Sequence, residues 1–85
     1  MKSYTLFQQY IWLVNTIHKN KRLTFNEINC YWLESDMSEG VPIVRSTFNR
    51  HRDAILDMFG IIIECDKKDG FRYFIYNAEV LEEDS

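Results

Sequence analysis

Glycine and proline are scarce in this 85-residue chain, with three glycines and one proline. So few leave no room for a low-complexity linker, and each marks a boundary instead. Gly40 and Pro42 precede one helical segment, Gly60 follows it, and Gly70 sits in a turn signal. Cysteine is as rare. Cys30 and Cys65 form no C-x-x-C pair and have no histidine pair at ligand spacing, so neither a disulfide framework nor a structural zinc site is expected. Both are expected as buried free thiols. No Gly-rich phosphate loop is present, and neither His18 nor His51 has a serine or cysteine placed as a nucleophile partner. An enzyme is therefore not expected, and no cofactor or metal is implied. No apolar run approaches the roughly 20 residues that span a bilayer. The N-terminal stretch "MKSYTLFQQYIWLVNTIHKNKR" is interrupted by Gln8, Gln9 and Asn15 and is followed by no small-residue cleavage site. It reads as an amphipathic helix rather than a signal peptide, with no membrane partner and a cytoplasmic location expected.

What is present is apolar and aromatic material, 46% and 15% of the residues, enough for the core of one small domain. The formal net charge is -3, but Glu79, Glu82, Glu83 and Asp84 crowd the end, and without those four the remainder carries +1. The cations cluster: Lys19, Lys21 and Arg22; Arg45, Arg50 and Arg52; Lys67, Lys68 and Arg72. For a polyanionic partner, local sign outweighs total sign.

Periodicity gives the elements. Leu6, Tyr10, Leu13, Val14 and Ile17 form one stripe of a helix from about Thr5 to Lys19, widened by Phe7, Ile11 and Trp12. "HKNKR" closes it with cations at the negative end of the dipole. Thr24 and Glu27 spell a capping box for a second helix, Phe25 to Glu34, with Phe25, Ile28 and Trp32 inward. Leu23, just before, is placed as a short strand stub. "SDMSEGVPIV" reads as a loop. A third helix is expected from Arg45 to Phe59, with Phe48, His51, Ile55 and Phe59 on one face, Ser46 as N-cap and Gly60 as the stop. "IIIECD" and "FRYFIYN" then switch to strand character around Lys67-Lys68-Asp69-Gly70, a hairpin signal. The predicted fold class is α+β, three helices followed by a two-stranded β-hairpin, which is the element order of a winged helix-turn-helix.

The stretch "LTFNEINCYWLESDMSEGVPIVRSTFNRHRDAILDMFGIIIECDKKDGFRYFI" also resembles the N-terminal winged-helix domain of WYL-domain transcriptional regulators, particularly the type common in Bacteroides and its relatives. The resemblance runs from Tyr10 to about Asn77. Its most specific pieces are "LTFNEIN", "WLESDMSEG", "STFNRHRDAI" and "FGIIIECD". It implies sequence-specific binding of double-stranded DNA as part of a bacterial transcriptional regulator. In that family a larger C-terminal portion carries the WYL domain, thought to sense a ligand that is often a nucleic acid or nucleotide. On this reading residues 1–78 are the DNA-binding domain. Residues 79–85 are an acidic tail or the start of a linker to a C-terminal domain, and an excised domain is favoured over a stand-alone reader. A homodimer of the full-length protein is expected on a (pseudo)palindrome.

The candidate site residues follow. Asn49 and Arg50 are placed at base edges, since asparagine pairs bidentately with adenine and arginine with guanine. Arg45, Ser46 and Thr47 are placed on phosphates. Arg52 is either a further DNA contact or a stem on the core rim paired with an acid. Asp53 and Asp57 should face away from DNA or neutralise Arg50 and Arg52. His51 is expected to face the core with a local hydrogen bond. Lys67, Lys68 and Arg72 are placed on phosphates or in the minor groove. Lys19, Lys21 and Arg22 are weaker candidates that could serve only as capping charges. The competing reading for each is an ordinary solvated face. The alternative for the whole is a winged-helix protein–protein interaction module without DNA binding, using exposed hairpin aromatics among Phe71, Phe74 and Tyr76.

Overall fold

A computed structural model describes residues 5–82. Glu83 and Asp84 of the expected acidic tail lie outside the described residues. Thr5 opens α1 (Leu6–Asn20). Its hydroxyl accepts from the Gln8 N–H at 3.1 Å, and the Gln8 side chain accepts from the Thr5 N–H at 2.8 Å. This capping box is written in the sequence as plainly as the one at Thr24 and Glu27, which opens α2 (Phe25–Glu34) with bonds of 2.9 and 3.1 Å. Between the two helices the chain reverses at Lys21, φ 72°. There the Arg22 N–H donates to the Asn20 carbonyl at 2.8 Å in a γ-turn.

That reversal delivers Leu23 to the hairpin. Strands β1 (Ile63–Asp66) and β2 (Arg72–Ile75) pair antiparallel, Ile63 opposite Ile75 and Cys65 opposite Tyr73. Leu23 bridges to Tyr73 on the other side of β2, through backbone bonds of 3.0 and 2.6 Å. The strand stub expected at Leu23 is therefore present. The hairpin forms where Asp69-Gly70 predicts, but its connection extends to Phe71. Gly70 and Phe71 are both left-handed, φ 64° and 58°.

The segment between α2 and α3 (Arg45–Phe59) is mostly loop with a 3-10 turn at Asp36–Ser38. Buried Ser38 donates to the Ser35 carbonyl and accepts from the Gly40 N–H, holding that turn together. Two α2 side chains then pin the run into α3. The Asn29 amide pairs with both backbone groups of Ile43, at 2.7 and 3.0 Å, and Trp32 Nε1 donates to the Val41 carbonyl at 2.8 Å. Because Ile43 is fixed in this way, Val44 is the N-cap and the helix starts at Arg45. Ser46, expected as the cap, lies inside the first turn. Gly60 ends α3 in the left-handed conformation, φ 69°, as expected.

The core joins all these elements. Tyr10, Leu13, Val14 and Ile17 from α1 meet Ile28 and Trp32 from α2, Phe48 and Ile55 from α3, and Ile63, Tyr73 and Ile75 from the strands. Phe48 is fully buried at its centre, edge-on to Phe25 and Tyr73 at 5.2 and 4.9 Å. Burying one such side chain contributes about 1.5–3 kcal/mol. Several expected core residues sit at the rim instead. Leu6, Phe7 and Ile11 are exposed, and Phe59 meets Phe7 at 5.7 Å rather than the centre. Cys30 is exposed and Cys65 half-buried, which corrects the expectation of two buried thiols. Cys30 lies two residues past Ile28, off the inward stripe of α2. The acidic end is not simply a tail either. Glu79–Glu82 form one helical turn, α4, whose Leu81 lines a small apolar recess with Ile11, Val14, Phe59 and Ile61. The result is a small α+β domain, helices followed by a two-stranded antiparallel hairpin. Among the described residues no helix is long and apolar enough to cross a membrane.

Candidate nucleic-acid interface

The first turns of α3 carry five of the expected site residues in a row, Arg45, Ser46, Thr47, Asn49 and Arg50, and the fold gives them different surroundings. The Arg45 guanidinium carbon lies 4.4 Å from the centre of the Phe25 ring, and the side chain donates to the Tyr73 hydroxyl at 3.3 Å. No carboxylate pairs with it among the described residues, so its charge is not neutralised by an ion pair there. Ser46 and Asn49 are exposed and Thr47 is partly covered. Arg50 is exposed, and among the described residues its side chain bonds only Thr47 Oγ1, at 3.3 Å. Val44 has no side-chain acceptor, so α3 lacks the side-chain cap that Thr5 and Thr24 give α1 and α2 among the described residues.

Arg52 is built inward. Its Nη2 and Nε donate to the Ile63 carbonyl at 2.6 and 3.2 Å, and its guanidinium lies 5.0 Å from the Tyr73 ring centre. Nη1 donates to Asn49 Oδ1 at 3.3 Å. Among the described residues no acid takes the expected place: the acceptor is a backbone carbonyl, so Arg52 fastens α3 to β1. Asn49 and Arg52 also line a shallow cleft with Asp53 and Glu64, carboxylates that disfavour a polyanion there. Asp53 and Asp57 are exposed and pair with neither Arg50 nor Arg52.

His51 is buried and meets Tyr10 edge-on at 5.1 Å. This ring contact stands where a local hydrogen bond was expected. Burial first, and the nearby Arg50 charge second, hold its pKa below the ordinary 6.5.

The hairpin turn has a different construction. Arg22 Nη1 bonds Asp66 at 3.0 Å and Asp69 at 3.4 Å while its guanidinium lies 4.5 Å from the Phe74 ring centre. Arg72 also pairs with Asp69, at 3.3 Å. Arg22 is thus more than a capping charge: with Arg72 it neutralises both acids of the turn. Lys67 and Lys68, between those acids in sequence, are exposed and have no carboxylate partner among the described residues.

The turn and α3 meet. A cleft of about 510 Å³ is lined by Thr24, Phe25 and Asn26 at the start of α2, by Arg45, and by Gly70, Phe71 and Tyr73. Of the sequence-named residues, then, the fold brings Arg45 to the hairpin, leaves Arg50, Lys67 and Lys68 free, and employs Arg52 and Arg72 internally. Sequence reasoning missed the role of Asn29 and Trp32 in setting the start of α3, because their hydrogen-bond partners are backbone groups of a loop. Among the described residues no group of three or more His, Cys, Asp or Glu could hold a metal. No protein-family model, curated protein or solved structure matches the chain.

Proposed function

We propose that this chain is a winged-helix domain that binds double-stranded DNA, with α3 in the major groove and the hairpin as the wing on the backbone. The observation that carries the reading is that α3's first turn and the hairpin turn line one cleft, where Arg45 has no carboxylate partner among the described residues. A major groove about 12 Å wide admits one helix. Arg50 is the residue free to read a base edge, and Ser46 and Thr47 lie beside it for phosphate. Arg45 stands over the cleft where a backbone strand would pass, and Lys67 and Lys68 extend the positive surface from the wing. Asn49, Arg52 and Arg72 position these groups. The resemblance to WYL-domain regulators points the same way, to the N-terminal reader of a bacterial transcriptional regulator. One such domain offers few phosphate contacts, so strong binding requires a second reader, as in a homodimer.

A second reading, a protein-interaction module, draws on the exposed apolar cluster of Phe7, Ile11, Phe59 and Leu81. A salt-dependent titration against a pool of random duplexes, with the whole chain single and joined in tandem, separates the two. For a DNA reader, Lys67→Ala/Lys68→Ala flattens the salt slope by roughly 1–2 units. Arg50→Ala weakens the preferred sequence by about 1–3 kcal/mol and relaxes one position. An absence of duplex binding at low salt, even in tandem, removes the DNA reading and leaves the interaction module.

A further inference from the structure

Phe71 is the one phenylalanine that the fold leaves without a partner among the described residues. Phe7 pairs with Phe59, Phe25 lies against Phe48 and Arg45, Phe48 also meets Tyr73, and Phe74 lies under Arg22. The Phe71 side chain has no such ring or cation and is 61% exposed. Its backbone is left-handed, φ 58°, directly after Gly70 at φ 64°. A glycine or asparagine suits that conformation, and a bulky aromatic there is a genuine outlier. The ring belongs neither to the core cluster nor to the partly buried residues packed against it.

The surroundings indicate what the ring could meet. Phe71 lines the cleft that Arg45 overlooks. Lys67 and Lys68 precede it in the same turn, and the turn's two acids are already bound by Arg22 and Arg72. An exposed apolar ring that shares a cleft with Arg45, in a turn that also carries Lys67 and Lys68, fits a nucleic acid, whose bases are flat and apolar-faced and whose phosphates are anionic. We infer that Phe71 is an apolar wedge that enters the minor groove beside the α3 site and partly unstacks one base step, while Lys67 and Lys68 hold the flanking phosphates. This inference rests on the DNA-binding reading and adds to it a residue that senses how easily the duplex deforms. Preference at the wedged position would then follow step flexibility rather than hydrogen-bond pattern.

The test uses the whole chain and a duplex it selects from a random pool, with 2-aminopurine placed in turn at each position flanking the selected core. Wild-type binding should raise the fluorescence several-fold at one step. Phe71→Ala should abolish that rise and weaken binding about tenfold or more while keeping the salt slope, since no phosphate contact is lost. Phe71→Trp should retain the rise. Phe71→Gly, whose backbone favours the left-handed turn, should match Phe71→Ala with an unchanged thermal midpoint, which separates a lost wedge from a lost fold. Flat fluorescence on wild-type binding, or full affinity in Phe71→Ala, overturns the wedge and leaves the DNA reading intact. If wild type binds no duplex, both fall. If Phe71→Ala instead changes only self-association, the ring is a protein contact and the wedge is wrong.

Discussion

The start of α3 and the turn of the hairpin each gather positive charge, but they hold it in opposite ways. At α3, Arg45 and Arg52 rest on the rings of Phe25 and Tyr73 and donate to a hydroxyl and a backbone carbonyl. Neither forms an ion pair with a carboxylate among the described residues, although Asp53 and Glu64 share the cleft beside Arg52. At the turn, Arg22 and Arg72 are spent on Asp66 and Asp69, and the outward charge comes from the lysines alone. An arginine held by an aromatic face keeps its field, whereas one held by a carboxylate gives it up. Two regions that look equally basic in sequence therefore differ in what they offer a polyanion.

The largest expected effect comes from breaking the α3 side. Arg52→Ala removes the fork on the Ile63 carbonyl and exposes that acceptor, and should lower unfolding stability by about 1.5–3 kcal/mol in a urea titration. Arg52→Lys should recover little, because an ammonium cannot reproduce the planar fork over Tyr73. The turn should respond far less. Arg22→Ala severs half-exposed ion pairs and should cost about 0–1 kcal/mol, shrinking further in high salt.

The smallest effect sharpens the comparison electrostatically. Burial and Arg50 both depress the pKa of His51, so the unfolded chain binds its proton more readily than the folded one. The stability His51 contributes is thus complete above about 6.5, its unfolded value, and is lost as pH falls through its lower folded value. Arg50→Ala should move the His51 titration, followed by NMR, upward toward 6.5 without restoring it, because burial is the larger cause. No movement would mean that the α3 cluster is better compensated than its geometry indicates.

How far the sequence could be read follows from the range of each interaction. The Thr24–Glu27 box, the Arg45–Phe59 helix and the Gly60 stop rest on neighbours within a turn, and their spacing is sufficient. Leu23 was legible as a strand stub because it stands directly before a cap. Ser46 misled because a hydroxyl near a helix start is a good cap only if the helix starts there, and Asn29, far off in sequence, fixes that start by holding Ile43. The candidate site was legible as a set of cations. Its division into free and occupied members was not, because the deciding partners of Arg52 and Arg22, Ile63 and Asp66, belong to a different part of the chain. Asn49 reads as a base-contacting residue by type, yet its carbonyl oxygen accepts from Arg52.

The bridge between Leu23 and Tyr73 has a consequence for how the chain comes to be folded. It ties the linker of the first two helices to the last strand, so the hairpin is backed by a third stretch of backbone rather than standing as a two-stranded ribbon of marginal stability. Closing so long a loop carries an entropic cost that is repaid only once β2 exists. The same strand that carries Tyr73 and Ile75 into the core also follows directly on the turn that lines the cleft beside Arg45, so the cleft depends on the pairing that completes this part of the core.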